Sequence, residues 1–171
     1  MAALTGRTPA RYTRFVIKDS GGVLREIPVD KFGDVGLTSP EVDLTAIQDA
    51  VHGFELGIPG FNLEFSGPFD TTAAVANAAS AAAPALSGSH TVLYPVNGLA
   101  TPLTFQLLIG VRAYWETGAP VFGLASSAVN GFLVSGYTVS GGGPDGGMMY
   151  KASLCVAAGS AVPAWGSALL A

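Results

Sequence analysis

The sequence predicts a mainly β domain, a sandwich or barrel of two packed antiparallel sheets with one flanking α-helix at about residues 71–83. Three observations point there. Glycine (23) and proline (11) make up a fifth of the 171 residues, and charged residues only 12%. Apolar and polar residues alternate with period two in several short runs, the spacing of half-buried strands. Turn signals separate those runs at short intervals, as in sandwiches and barrels.

The elements follow in order. Tyr12–Lys18 reads as a strand, Asp19–Gly22 as a turn and Val23–Ile27 as the returning strand. Residues 32–59 form a long loop region dotted with Gly and Pro, in which Glu41–Asp49 alternates as a half-buried strand does. Phe61–Ser66 is the clearest strand, with Phe61, Leu63 and Phe65 on one face and Asn62, Glu64 and Ser66 on the other. The helix is expected where Asp70 or Thr71 can cap an alanine-rich run that Pro84 ends. Strands are then expected at His90–Val96, Leu103–Tyr114, Val121–Leu124, Gly131–Ser140 and Met148–Ala157. Gly141–Gly147 makes a hairpin tip, and the tail, residues 158–171, reads as irregular and docked. One domain spans 1–171, with residues 1–11 as an N-terminal arm.

The mean hydropathy of +0.45 is high, yet Gly, Asn, Ser and Pro interrupt every long uncharged stretch. A spanning helix needs roughly 20 apolar residues, so no membrane insertion is expected. Met1–Arg7 holds no apolar run of secretory length, so a cytoplasm-like compartment is expected. The lone Cys155, in an apolar strand, is expected to be a buried, inert thiol.

Charge is unevenly placed. Residues 1–85 carry 16 of the 20 charges, leaving Arg112, Glu116, Asp145 and Lys151 for the remainder. So large an uncharged surface reads as subunit interface. Six bases lie between Arg7 and Lys31, and seven acids with no base between Asp34 and Asp70. That polarity describes either two solvated faces or head-to-tail docking of copies, the heterologous contact that makes rings or filaments.

The search for chemistry is negative. His52 and His90 stand apart without Cys or a second His, and read as satisfied rather than zinc-binding residues. No Gly-x-Ser-x-Gly is present. Gly141–Gly147 lacks the Gly-Lys-Ser/Thr of a phosphate loop, and Asp34, Glu41 and Asp43 lack calcium-loop grammar. The cluster Tyr12, Arg14 and Phe15 is too small for single-strand nucleic-acid binding, and the net charge of −4 opposes tight wrapping of nucleic acid. The expectation is a non-enzymatic chain without cofactor or metal.

Val42-Asp43-Leu44-Thr45, Asp49, Ile58–Gly67 and Phe69-Asp70 resemble the corresponding run in the major tail tube proteins of long-tailed bacteriophages. Phe105-Gln106 and Gly136-Tyr137 fit the same plan, and the resemblance covers roughly residues 12–157. It implies a β-sandwich that self-assembles into stacked, hexameric rings, with other tail proteins as partners. DNA would pass through an acidic lumen without specific binding, since like charge repels phosphate. The place implied is the virion tail, after assembly in the host cytoplasm. On this resemblance Arg7, Arg11, Asp34, Glu41, Asp43, Asp49 and Glu55 are expected in contacts between stacked rings. Strands within 103–114 and 131–157 would supply lateral contacts. Alternatives are another ring-forming virion protein, a terminator or head decoration, and a carbohydrate-binding β module, for which only Trp115 and Trp165 are available.

Overall fold

Strand β1 (Arg14–Lys18) turns into β2 (Leu24–Ile27) because Asp19 organises the reversal. Its carboxylate accepts hydrogen bonds from the Gly21 and Val23 amides, each 2.9 Å, and from Arg25 Nε at 2.8 Å. Gly22 takes the left-handed φ of +76° that the turn requires. The computed structural model describes residues 13–45, 54–56, 60–76, 84–109, 121–123, 131–142, 146–160 and 163–166.

Further along the chain lie β3 (Lys31–Phe32), β4 (Glu41–Asp43), β5 (Phe54–Leu56), β6 (Asn62–Pro68) and β7 (Ala85–Leu86). Helix α1 (Ser89–Val96) follows, then β8 (Phe105–Leu108), β9 (Val121–Gly123), β10 (Phe132–Gly141), β11 (Met148–Val156) and β12 (Ala164–Gly166). One sheet runs β12-β9-β8-β1-β2-β7, a second β10-β11-β6-β3, and β4 pairs with β5 alone. Neither large sheet closes on itself, so the architecture is an open sandwich and not a barrel. All pairs are antiparallel except β2 with β7, which run parallel. No helix among the described residues is long and apolar enough to cross a membrane.

The alternation read in the sequence sets the core. Leu63 and Phe65 of β6 are buried while Asn62 and Glu64 face water. Phe15 and Phe105 from the first sheet meet Phe65 and Phe132 from the second, with centroids 4.7 Å (Phe15–Phe65) and 4.6 Å (Phe105–Phe132) apart. Such offset aromatic contacts each add about 1 kcal/mol beyond area burial. A bulge between Val134 and Gly136 returns Tyr137 to the inner face.

Several expectations are corrected. The helix lies at Ser89–Val96, read from sequence as a strand, and not at 71–83. Residues 71–76 are not helical: Asp70 Oδ1 accepts from the Thr72 amide (2.8 Å) and hydroxyl (2.6 Å), and Val75 bridges Leu86. Those bonds commit the backbone to an Asx turn and an extended run, which overrides alanine's propensity. The rest of that helix expectation, 77–83, lies outside the described residues. Ser89, Val92, Leu93 and Val96 are buried at helical spacing i, i+3, i+4, i+7. The 68–70 segment satisfies the helix's first turn, with Ser89 Oγ donating to the Pro68 carbonyl (2.9 Å) and the His90 amide to that of Asp70 (2.9 Å). Gly88 permits this approach, because a Cβ there would sit 2.5 Å from the Asp70 oxygen. The tail, expected to be irregular, supplies β12 on the edge of the six-stranded sheet. Cys155 is half-buried, on the outer face beside Asn62, not fully buried.

Candidate assembly surfaces

Of the acids expected at ring contacts, Glu41 and Asp43 lie on β4, Glu55 on β5 and Asp34 on the loop after β3, all exposed. Arg7, Arg11 and Asp49 lie outside the described residues. The structure brings Glu41, Asp43 and Glu55 together on one hairpin. Its register pairs Glu41 with Leu56, Val42 with Glu55 and Asp43 with Phe54. Opposed residues of a pair point to the same face. One face therefore carries Glu41, Asp43, Phe54 and Leu56, and the other Val42 and Glu55.

Every residue of both strands is exposed, with Leu56 at 74% and Phe54 at 56%. A two-stranded hairpin is marginal alone in water, and an exposed cluster of large apolar groups marks a contact surface. Asp43 stays ionised: hydrogen bonds from the Thr45 hydroxyl and amide hold its carboxyl below the ordinary range. The hairpin thus combines apolar anchors with fixed negative charge. Sequence reading found its acids and the alternation over Glu41–Asp49, but expected a half-buried strand where Val42 and Leu44 are in fact exposed, and it did not single out Phe54 and Leu56.

The second surface is the edge of the four-stranded sheet. Strand β10 is ten residues long and holds no charge and no proline. Its first half is tied by bridges from Asn97 to Val134 and Leu103 to Phe132. From Ser135 to Gly141 no strand lies on its outward side among the described residues. An uncharged, uncovered edge is a template for pairing with another chain. The outer face of this sheet is polar and electrically balanced, with Lys151 Nζ 2.8 Å from Glu64 Oε2 and Ser135 Oγ 2.9 Å from Ser153 Oγ.

His90 is satisfied, as expected. Its Nδ1 lies 3.0 Å from the Tyr137 hydroxyl, and its ring packs against Phe69 and Tyr94. His52 lies outside the described residues. Among the described residues no three His, Cys, Asp or Glu side chains gather as metal ligands.

No family model matches the chain, and no curated protein matches its sequence. Solved structures do match it in shape. A chain from the cap of the anti-feeding prophage, the tube-terminating cap, aligns over 98% of this chain and 96% of its own, with TM-score 0.59 and 9% identity. A chain from the sheath/tube terminator of an extracellular contractile injection system, PVC, aligns over 96% and 99%, with TM-score 0.58 and 9% identity. The tail of an empty gene transfer agent particle, computed in C6 symmetry, gives 92% and 100%, TM-score 0.54 and 14% identity. The likeness is one of fold. It runs almost from end to end in each.

Proposed function

We propose that this chain is a structural protein of a phage-like tail, a tube subunit that self-assembles into stacked six-membered rings. The observation that carries the reading is the open, uncharged outer half of β10, on a chain whose fold spans tail and injection-system chains almost completely. Lateral assembly extends the four-stranded sheet from copy to copy through that edge, and the β4–β5 hairpin meets the next ring. The six-fold number follows the gene transfer agent tail. The neighbours come from contractile systems and a gene transfer agent, so they favour a tail-type protein without singling out long-tailed phages. The role is non-enzymatic, DNA is a passenger, and the site of action is the particle's tail after assembly in the host cytoplasm.

A second reading is favoured by two of the matched structures, a tube-terminating cap and a sheath/tube terminator. In that reading the chain forms one ring and stops. Negative-stain microscopy of the purified protein over a concentration series separates them. Hollow tubes establish the tube subunit, single rings that never elongate establish the terminator, and monomers at every concentration overturn both.

A further inference from the structure

Beside β2 a cleft of about 730 Å³ opens between the start of β1, the end of β2 and the 70–75 segment, a size typical of small-ligand pockets. Glu26 lines it, opposite Val16 of β1, and is only 5% exposed. Arg14 Nη1 lies 3.3 Å from its Oε1, but its Oε2 is buried with no hydrogen-bond partner. A buried carboxylate oxygen without a donor is costly, and a cation that supplies one is favoured by the same amount. Asp30 and Asp70 also line the cleft, and hydrogen bonds from Thr72 hold the Asp70 carboxyl below the ordinary range. Three acids therefore meet one arginine among the lining residues. Val75 and Leu86, 55% and 40% exposed, add an apolar wall.

The three acids are not gathered at a point, since among the described residues no three His, Cys, Asp or Glu side chains could hold one metal ion. A single small ion satisfies only part of such a set, whereas cationic groups spaced along a chain match it. We infer that the cleft binds an aliphatic polyamine, with one ammonium donating to Glu26 Oε2 and another set against Asp30 or Asp70. The methylenes between them lie along Val75 and Leu86, as the stem of a lysine lies along apolar surface. An ammonium is a compact charge that needs only one open oxygen, while a guanidinium fork is matched by two. Arg14 offsets one of the three acids, and the ligand's positive charges offset the others. Burial raises the Glu26 pKa with Arg14 opposing it, so the ligand favours the ionised carboxyl and binding tightens as pH rises. Binding needs one chain only, so it goes beyond the assembly proposed above and does not depend on it.

The test is calorimetric titration of the full chain with spermidine, butylamine and magnesium at one fixed ionic strength. Spermidine should bind saturably at one site, roughly tenfold tighter than butylamine or magnesium, and tighter at pH 7 than at pH 5. Glu26→Gln should weaken spermidine by about tenfold, and Asp30→Asn should weaken it too. Asp30 is exposed, so its variant keeps the test readable should Glu26→Gln fail to fold. Glu64→Gln removes the same charge from the outer face of the other sheet and should leave binding unchanged. Equal weakening by Glu26→Gln and Glu64→Gln would mean attraction to net charge alone and overturns the site. Magnesium or butylamine binding as tightly as spermidine overturns the match to spaced cations. No saturable binding by the full chain overturns the inference outright and leaves the tail reading standing.

Discussion

The Tyr150 hydroxyl donates a 2.8 Å hydrogen bond to the Pro28 carbonyl and so joins the two sheets through the core. The residues are 122 positions apart in sequence. The ring is 1% exposed and stands against Phe65 and Tyr137. Burial, and the nearby Tyr137, push its ionisation far above the ordinary tyrosine range, so the proton stays on the donor at any working pH.

Replacing Tyr150 with Phe keeps the ring and removes the donor. The loss expected is about 1–2 kcal/mol, since the Pro28 carbonyl is left without its partner. Urea denaturation should show a lower midpoint with an unchanged slope; an unchanged midpoint would mean that the bond contributes nothing net.

Glu26 gives a pH signature. Desolvation raises its folded-state pKa above the ordinary carboxylate value, with Arg14 lowering it only in part. Below pH about 4.5 both folded and unfolded chains hold the proton. As pH rises, the unfolded chain ionises first and the fold loses stability until the folded-state pKa is passed. Glu26→Gln should therefore be more stable than the parent at pH 7, with the advantage shrinking toward pH 4. Parallel denaturation curves at those two pH values check both the sign and the trend.

A lysine on the open edge should block pairing between copies. Thr138 is exposed on the outer half of β10. Thr138→Lys is expected to leave the melting temperature of the monomer within a degree or two while shifting sedimentation from rings toward monomers. Rings of normal stability would remove β10 from the lateral contact.

The β4–β5 hairpin should act on stacking alone. Leu56→Asp removes its most exposed apolar anchor without touching the core. Asp43→Lys reverses a charge held by Thr45. Each variant should yield intact rings but shorter tubes in micrographs, and the Asp43→Lys effect should fade at high salt. Full-length tubes from both variants would place stacking elsewhere.

Much of the sandwich was legible because burial enforces a period. Leu63 and Phe65 alternate with Asn62 and Glu64, and that register reappears as buried and exposed faces. The Asp19–Gly22 turn was legible from turn chemistry alone. Helix α1 was not, since Thr91, Val92, Tyr94 and Val96 look strand-like one by one, and Pro95 falls inside it. Only the spacing of Ser89, Val92, Leu93 and Val96 betrays it. The two-residue β7 and three-residue β12 are too short to show any period. Of the surfaces, acids announce themselves because charge goes to water. Phe54 and Leu56 lie in the stretch that reads as a long loop, and their exposure is that of a hairpin paired with neither large sheet.

The pairing of β6 with β11 has a consequence in time. Strand β6 is complete once Pro68 is made, but its long partner β11 begins only at Met148. At roughly 5–20 residues per second a ribosome needs about 4–16 s to cross that interval. For those seconds β6 has only the two-residue β3 beside it, and the Pro28 carbonyl waits for Tyr150. The outer edge of β10 forms its backing strand in the same late step, because β11 is the strand it leans on. A nascent chain therefore cannot present a finished β10 edge before its own interior closes, because the order of synthesis sets the order in which the two appear.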